Sequence, residues 1–161
     1  MCISGYGAAV TRRDDLREID LALQRIIRIG RGRTAARLRS ERSGVELSRA
    51  GVTILAALAA RGGLRLSTLA EAADAEPAII TREMRVLTAM QYVETQTDPL
   101  DGRARIVTIT NDGRGAFARY RDAIDAIIAD TFSAWTGPDL ATLRRLLQRV
   151  ADDFAHPEPT A

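Results

Sequence analysis

Two short stretches hold the side chains with most chemistry to offer. In "PAIITREMRVLTAMQ", residues 77–91, a helical wheel puts Ala78, Thr81, Arg82 and Arg85 on the outward side, with no acid among them. In "DPLDGRARIVTIT", residues 98–110, Arg103 and Arg105 follow two carboxylates, Asp98 and Asp101, at the apex of a hairpin. A guanidinium offers a planar fork of N–H donors that fits phosphate oxygens or the O6/N7 edge of guanine. A hairpin apex has no core to bury such groups, so they face outward. Asp98 and Asp101 read as turn formers and as partners that orient the arginines. The competing reading is a surface hairpin charged for solubility.

The charge pattern bears on the same chemistry. All 23 basic residues are arginine, and 21 acids leave a net charge of +2. Genomic codon bias accounts for arginine usage alone, so the distribution says more. Between residues 25 and 42, Arg25, Arg28, Arg31, Arg33, Arg37, Arg39 and Arg42 meet one acid, Glu41. Such a strip fits either a polyanion nearby or a solvated helix face.

Several function classes find no residues here. Cys2 is the only cysteine and His156 the only histidine, which rules out an intrachain disulfide and leaves a Cys/His zinc site without ligands. No combination of nucleophile, base and orienting group stands out, so neither an enzyme nor a cofactor is expected. No run of 18 apolar residues is present, so no membrane span is expected. The start of the chain lacks a basic-then-apolar leader pattern, so the expected compartment is the cytoplasm.

The elements that must carry these groups are mostly helical. Apolar content is 46% and aromatic content only 4%, so the core must be built from Leu, Ile, Val and Ala. Residues 14–42 read as one long helix, with Leu16, Ile19, Leu23 and Ile26 on one face and Asp14 and Asp15 at its start. Gly30 and Gly32 weaken its middle. At about 29 residues it would be roughly 43 Å long, more than a small domain covers. A nearly all-apolar helix follows at 48–61, closed by Gly62 and Gly63. "LRLS" reads as a short strand. "STLAEAADA" reads as a short helix, with Thr68 as N-cap and Glu71 completing a capping box.

Pro77 suits the first position of the next helix, whose inward stripe is Ile80, Met84 and Leu87. Two alternating segments, 92–97 and 104–110, form the hairpin strands. Thr110 or Asn111 caps a long helix reaching about Trp135, with Phe117, Tyr120, Ile124 and Ile127 on one side. Thr136 caps a last helix in which Leu140, Leu143, Leu147, Val150 and Phe154 repeat at 3, 4, 3, 4, a seam that wants a partner helix.

The central order is helix, strand, helix, turn, helix, strand, wing, strand. That order places a helix-turn-helix before a hairpin, an arrangement able to set its second helix in a major groove and its hairpin in the adjacent minor groove. Residues 47–113 resemble the MarR (multiple antibiotic resistance regulator) family of winged-helix transcription factors. The resemblance rests on "LSRAGVTILAAL", "LSTLAEA", "IITREMRVLTAMQYVE" and above all "DPLDGRARIVTITNDG", which is similar to the family's wing pattern Asp-Pro-x-Asp-Arg-Arg-Ala, hydrophobic strand, Leu-Thr-x-x-Gly. The flanking helices at 14–42 and 111–155 also agree with the family layout.

The resemblance implies a mainly α (α+β) winged helix-turn-helix with long terminal dimerisation helices. Five segments follow: a flexible N-terminus at 1–13, a dimerisation helix at 14–42, the DNA-binding lobe at 47–113, further dimerisation helices at 114–155 and a flexible tail at 156–161. It implies that Ser67, Thr68, Ala78, Thr81, Arg82, Arg85, Arg103 and Arg105 meet double-stranded DNA. Arg103 takes the place of the second wing arginine, while Gly102 stands where the first would be; Arg105, two residues on, shares its strand face. Arg82 matches the arginine of the family's Thr-Val-Thr-Arg pattern, and Glu83 departs from the hydrophobe that usually follows.

The expected partner beyond DNA is a second copy of the chain. Leu16, Ile19, Leu23, Ile26, Leu140, Leu143, Leu147, Val150 and Phe154 would form the interface, presenting two helices to a palindromic operator. A small aromatic or anionic effector is a further implied partner. Cys2 lies upstream of the first long helix, so thiol sensing is not expected. The alternative is a winged-helix protein-interaction module whose basic face is incidental.

Overall fold

The computed structural model describes residues 11–73, 76–102 and 104–156. Among the described residues seven helices and three short strands follow one another: α1 (Arg12–Arg31), α2 (Arg33–Ser43), α3 (Arg49–Arg61), β1 (Leu64–Arg65), α4 (Leu66–Ala73), α5 (Pro77–Ala89), β2 (Val93–Thr97), β3 (Arg105–Ile109), α6 (Asn111–Thr131) and α7 (Gly137–Ala155). The strands form one antiparallel sheet in the order β1-β3-β2, with Leu64 opposite Val107, Arg65 opposite Ile106, and Thr97 opposite Arg105 near the hairpin tip.

The single helix expected over 14–42 is two helices. The chain breaks at Gly32, where ψ swings to 155°. Glycine weakens helices by leaving the backbone too free, and two lie within three residues here. The break frees carbonyl groups at the end of α1; Arg39 Nη1 reaches back from α2 and donates to the Gly30 carbonyl at 3.2 Å. At the other end Thr11 and Asp14 form a reciprocal capping box, so the helix starts at Arg12, two residues earlier than the acids alone indicate.

The core is assembled by α3, α4, α5 and the sheet. Ile54, Leu55 and Leu58 from α3 meet Leu69 from α4, Ile80, Met84 and Leu87 from α5, and Val93, Val107 and Ile109 from the strands. Ser48 caps α3 by accepting from the Gly51 amide at 3.0 Å. Helix α4 corrects another expectation. Thr68 is its third residue rather than its cap, because the helix begins directly at Leu66 after β1.

Thr110 caps α6, accepting from the Gly113 amide at 3.0 Å while its hydroxyl donates to the Gln91 carbonyl at 2.7 Å. Gly113 is required at this corner, since a β-carbon there would run into the Tyr92 carbonyl oxygen. Gln91, at the turn after α5, is held at φ 59°, a left-handed conformation costly for a side chain.

The chain divides into two compact units within α6, between Tyr120 and Arg121. In the second unit α6 ends at Thr131, not at Trp135. Turns with i to i+3 bonds take over, Ser133 to Asp130 and Trp135 to Phe132, and the Trp135 ring stands edge-on to Phe132 at 5.2 Å. Thr136 then caps α7 as its sequence indicates, accepting from the Asp139 amide.

Candidate nucleic-acid interface

Burial fixes the rotation of α5. With Ile80, Met84 and Leu87 committed to the core, Ala78, Thr81, Arg82 and Arg85 are left exposed. Pro77 opens the helix, where its missing N–H costs no hydrogen bond. Thr81 Oγ1 donates to the Pro77 carbonyl at 2.9 Å, so its proton is already used and the oxygen remains an acceptor. On α4, Ser67 is exposed and Thr68 half-buried.

The hairpin closes through a chain of backbone bonds. The Asp98 amide donates to the Ala104 carbonyl at 3.0 Å, and the Ala104 amide to the Asp101 carbonyl at 2.8 Å. Strand alternation puts Arg105 on the same sheet face as Val107 and Ile109, which are buried against the core. Arg105 itself lies beyond that core and is exposed. It therefore shares a cleft of about 520 Å³ with Thr81 and Arg85 of α5, floored by Met84 and Val107. Arg103 lies outside the described residues.

Arg82 occupies the other flank of α5. It lines a larger cleft, about 860 Å³, together with Glu83 and Val86 of α5 and Ala50 and Thr53 of α3. The exposed ridge of α5 thus carries one arginine on each side.

Asp98 orients an arginine that sequence reasoning missed. Its carboxylate is nearly buried, with a relative exposure of 4%. Arg65 Nε donates to Oδ2 at 2.8 Å and Nη2 lies 2.5 Å from the same oxygen, while the Leu100 amide donates to Oδ1 at 2.8 Å. The Leu100 amide, and after it Arg65, hold the carboxyl below the usual carboxylate range against the opposing effect of burial. Among the described residues the arginine that Asp98 holds is Arg65 of β1, and its bond to the Leu100 amide fits the expected turn role; the expected pairing with Arg103 lies outside the described residues. No sequence pattern announces this pair, because β1 is two residues long and its register on β3 is a tertiary fact. Asp101 sits exposed in the turn and has a partner of its own.

The arginine strip at 25–42 is partly spoken for. Arg39 bonds the Gly30 carbonyl, Arg37 pairs with Glu41 at 3.3 Å, and Arg42 also has a partner within the chain. Among the described residues there is no cluster of His, Cys, Asp or Glu fit to hold a metal, and no helix long and apolar enough to cross a membrane.

Two apolar faces are left uncovered. In α1, which buries no residue, Leu16, Ile19 and Ile26 are exposed and Leu23 half-buried. In α7, which also buries none, Leu140, Leu147 and Phe154 are exposed and Leu143 and Val150 half-buried.

Comparisons with known proteins agree on the fold. Residues 52–128 match the family described as winged helix DNA-binding domain. The YusO protein from Bacillus subtilis superposes with a TM-score of 0.70 at 22% identity, covering 88% of this chain and 98% of its own. A mutant of MarR from E. coli, crystallised with operator DNA, gives 0.63 at 21% identity over 84% and 98%. The PcaV transcriptional regulator from Streptomyces coelicolor, in complex with its natural ligand, gives 0.57 at 20% identity over 93% and 98%. No curated protein matches.

Proposed function

We propose that this chain, which carries a winged helix DNA-binding domain in the fold of the MarR family, is a homodimeric, sequence-specific regulator of transcription. It sits on a palindromic double-stranded operator as a repressor. The observation that carries this reading is the shared cleft of Thr81, Arg85 and Arg105, which brings guanidinium groups from α5 and from the hairpin to one surface. Helix α5 enters the major groove with Arg82 and Arg85 on its two flanks; Ser67, Thr68 and Ala78 flank it at the backbone, and the hairpin reaches the minor groove through Arg103 and Arg105.

A second copy of the chain covers the apolar faces of α1 and α7. Large uncovered apolar strips on a charged, otherwise folded chain are what an interface between copies leaves on one protomer. A two-fold pair presents α5 twice, about one helical turn apart.

Release from DNA falls to a small anionic or aromatic effector. A cleft of about 460 Å³ beside α2 supports this, since Arg33, Arg37 and Arg39 line it with Val45, Leu47 and Tyr120, cations and apolar surface together.

Gel shifts against the DNA flanking the chain's own coding sequence test the central reading. We expect a clear preference for one duplex over random DNA at physiological salt. Equal affinity for every duplex would instead make the fold a protein-interaction module.

A further inference from the structure

Glu83 stands beside the exposed face of α5, where the family resemblance leads one to expect a hydrophobe, and the structure shows where its carboxylate goes. The side chain is half-buried and turned toward the first turn of α3. A β-carbon added at Gly51 would lie 2.6 Å from Glu83 Oε1. The carboxylate therefore fills the space that any other residue at position 51 would claim.

Gly51 is the third residue of α3, buried, and a poor choice for a helix on propensity alone. The first turn of α3 holds no acid of its own. A carboxylate lodged there from another helix faces the positive end of the α3 dipole, a favourable place for it. Gly51 and Glu83 thus complement one another, a gap on one helix and an acid of the right length on the other.

We propose that Glu83 is a positioning residue: seated against Gly51, it fixes the rotation of α5 about its axis and so the directions in which Arg82 and Arg85 meet the duplex. Ile80, Met84 and Leu87 hold α5 to the core by contacts that tolerate small rotations, because apolar packing has no directional bonds. The carboxylate adds a point anchor on the flank that carries Arg82. This proposal rests on the DNA-binding reading above.

Gly51→Ala disconnects the pair gently, because the atom in the way is the tip of a flexible side chain. The full-length protein is compared with its Gly51→Ala and Glu83→Gln variants by three measurements: thermal midpoint, backbone amide exchange along α5 without DNA, and the ratio of affinities for operator and random duplex. Alanine favours helix, so Gly51→Ala should keep or raise the thermal midpoint while α5 amides exchange faster and the affinity ratio falls about fivefold or more. Glu83→Gln should move exchange and ratio in the same direction. A purely structural contact would move stability and recognition together, never in opposite senses. Unchanged ratios in both variants overturn the proposal, whatever the exchange data show. If the wild-type protein prefers no duplex, the DNA-binding reading has failed separately; unchanged α5 exchange in Gly51→Ala would then remove the anchor as well.

Discussion

Arg65 and Asp98 lie thirty-three positions apart, yet the two meet at 2.8 Å and join the end of β1 to the tip of the hairpin, just past β2. Replacing Arg65 by alanine leaves a nearly buried carboxylate with the Leu100 amide as its main remaining donor. We expect a lower urea midpoint and faster exchange of hairpin amides, with partial recovery in Arg65→Lys. A hairpin indifferent to both changes would show that the pair does not brace it.

The same carboxylate gives the fold an acid-side dependence. Asp98 is held below the usual carboxylate range, so its contribution to stability is fully present above that range. It is lost as the pH falls through the lowered folded value. The Asp98→Asn variant should be less stable near neutral pH and lose less on acidification than the wild type. Parallel stability curves for the two proteins would refute this assignment.

Arg85 and Arg105 line one cleft, but the proposed mode of contact differs. Arg85→Ala should cost about 1–3 kcal/mol on the operator and almost nothing on random DNA, as expected for base reading. Arg105→Ala should weaken both and lower the salt slope by about 1, as expected for lost counterion release. Fluorescence anisotropy over a salt series separates the two outcomes, and identical profiles would undo the division of labour.

Gly113 has no room for a methyl group against the Tyr92 carbonyl, and backbone cannot swing aside as a side chain does. Gly113→Ala should cost about 3 kcal/mol, at the upper end for overpacking, because α6 must pull away from the turn before β2. Denaturant titration measures it. A loss below about 0.5 kcal/mol, typical of an indifferent surface site, would mean the corner is softer than described.

Leu143 and Leu147 lie on the partly uncovered seam of α7, with Leu147 48% exposed. Changing both to glutamate should yield a folded monomer by sedimentation, with operator affinity greatly reduced. Persistence of a dimer would place the interface elsewhere.

Much of this architecture was legible in the sequence, because its signals are local. The spacing of Ile80, Met84 and Leu87 dictates which side of α5 turns inward, and Thr136 with Asp139 announces α7. The break at Gly32 was only half visible: glycines reveal weakness, but not that Arg39 would stitch across the gap. Thr68 misled because a serine, threonine and glutamate pattern looks the same one turn inside a helix as at its start. Arg65 and Glu83 were invisible in their roles. Each acts on a residue more than thirty positions away, and nothing in the neighbourhood of either names its partner.

Trp135 is the sole tryptophan, set edge-on to Phe132 at the corner between α6 and α7 and half open to solvent. Excited near the red edge of protein absorption, the chain therefore emits from a single lamp, and that lamp stands in the unit that excludes α5 and the hairpin. A shift in its colour reports what happens around the C-terminal helices, leaving titrations with unlabelled DNA free of interference from any second emitter.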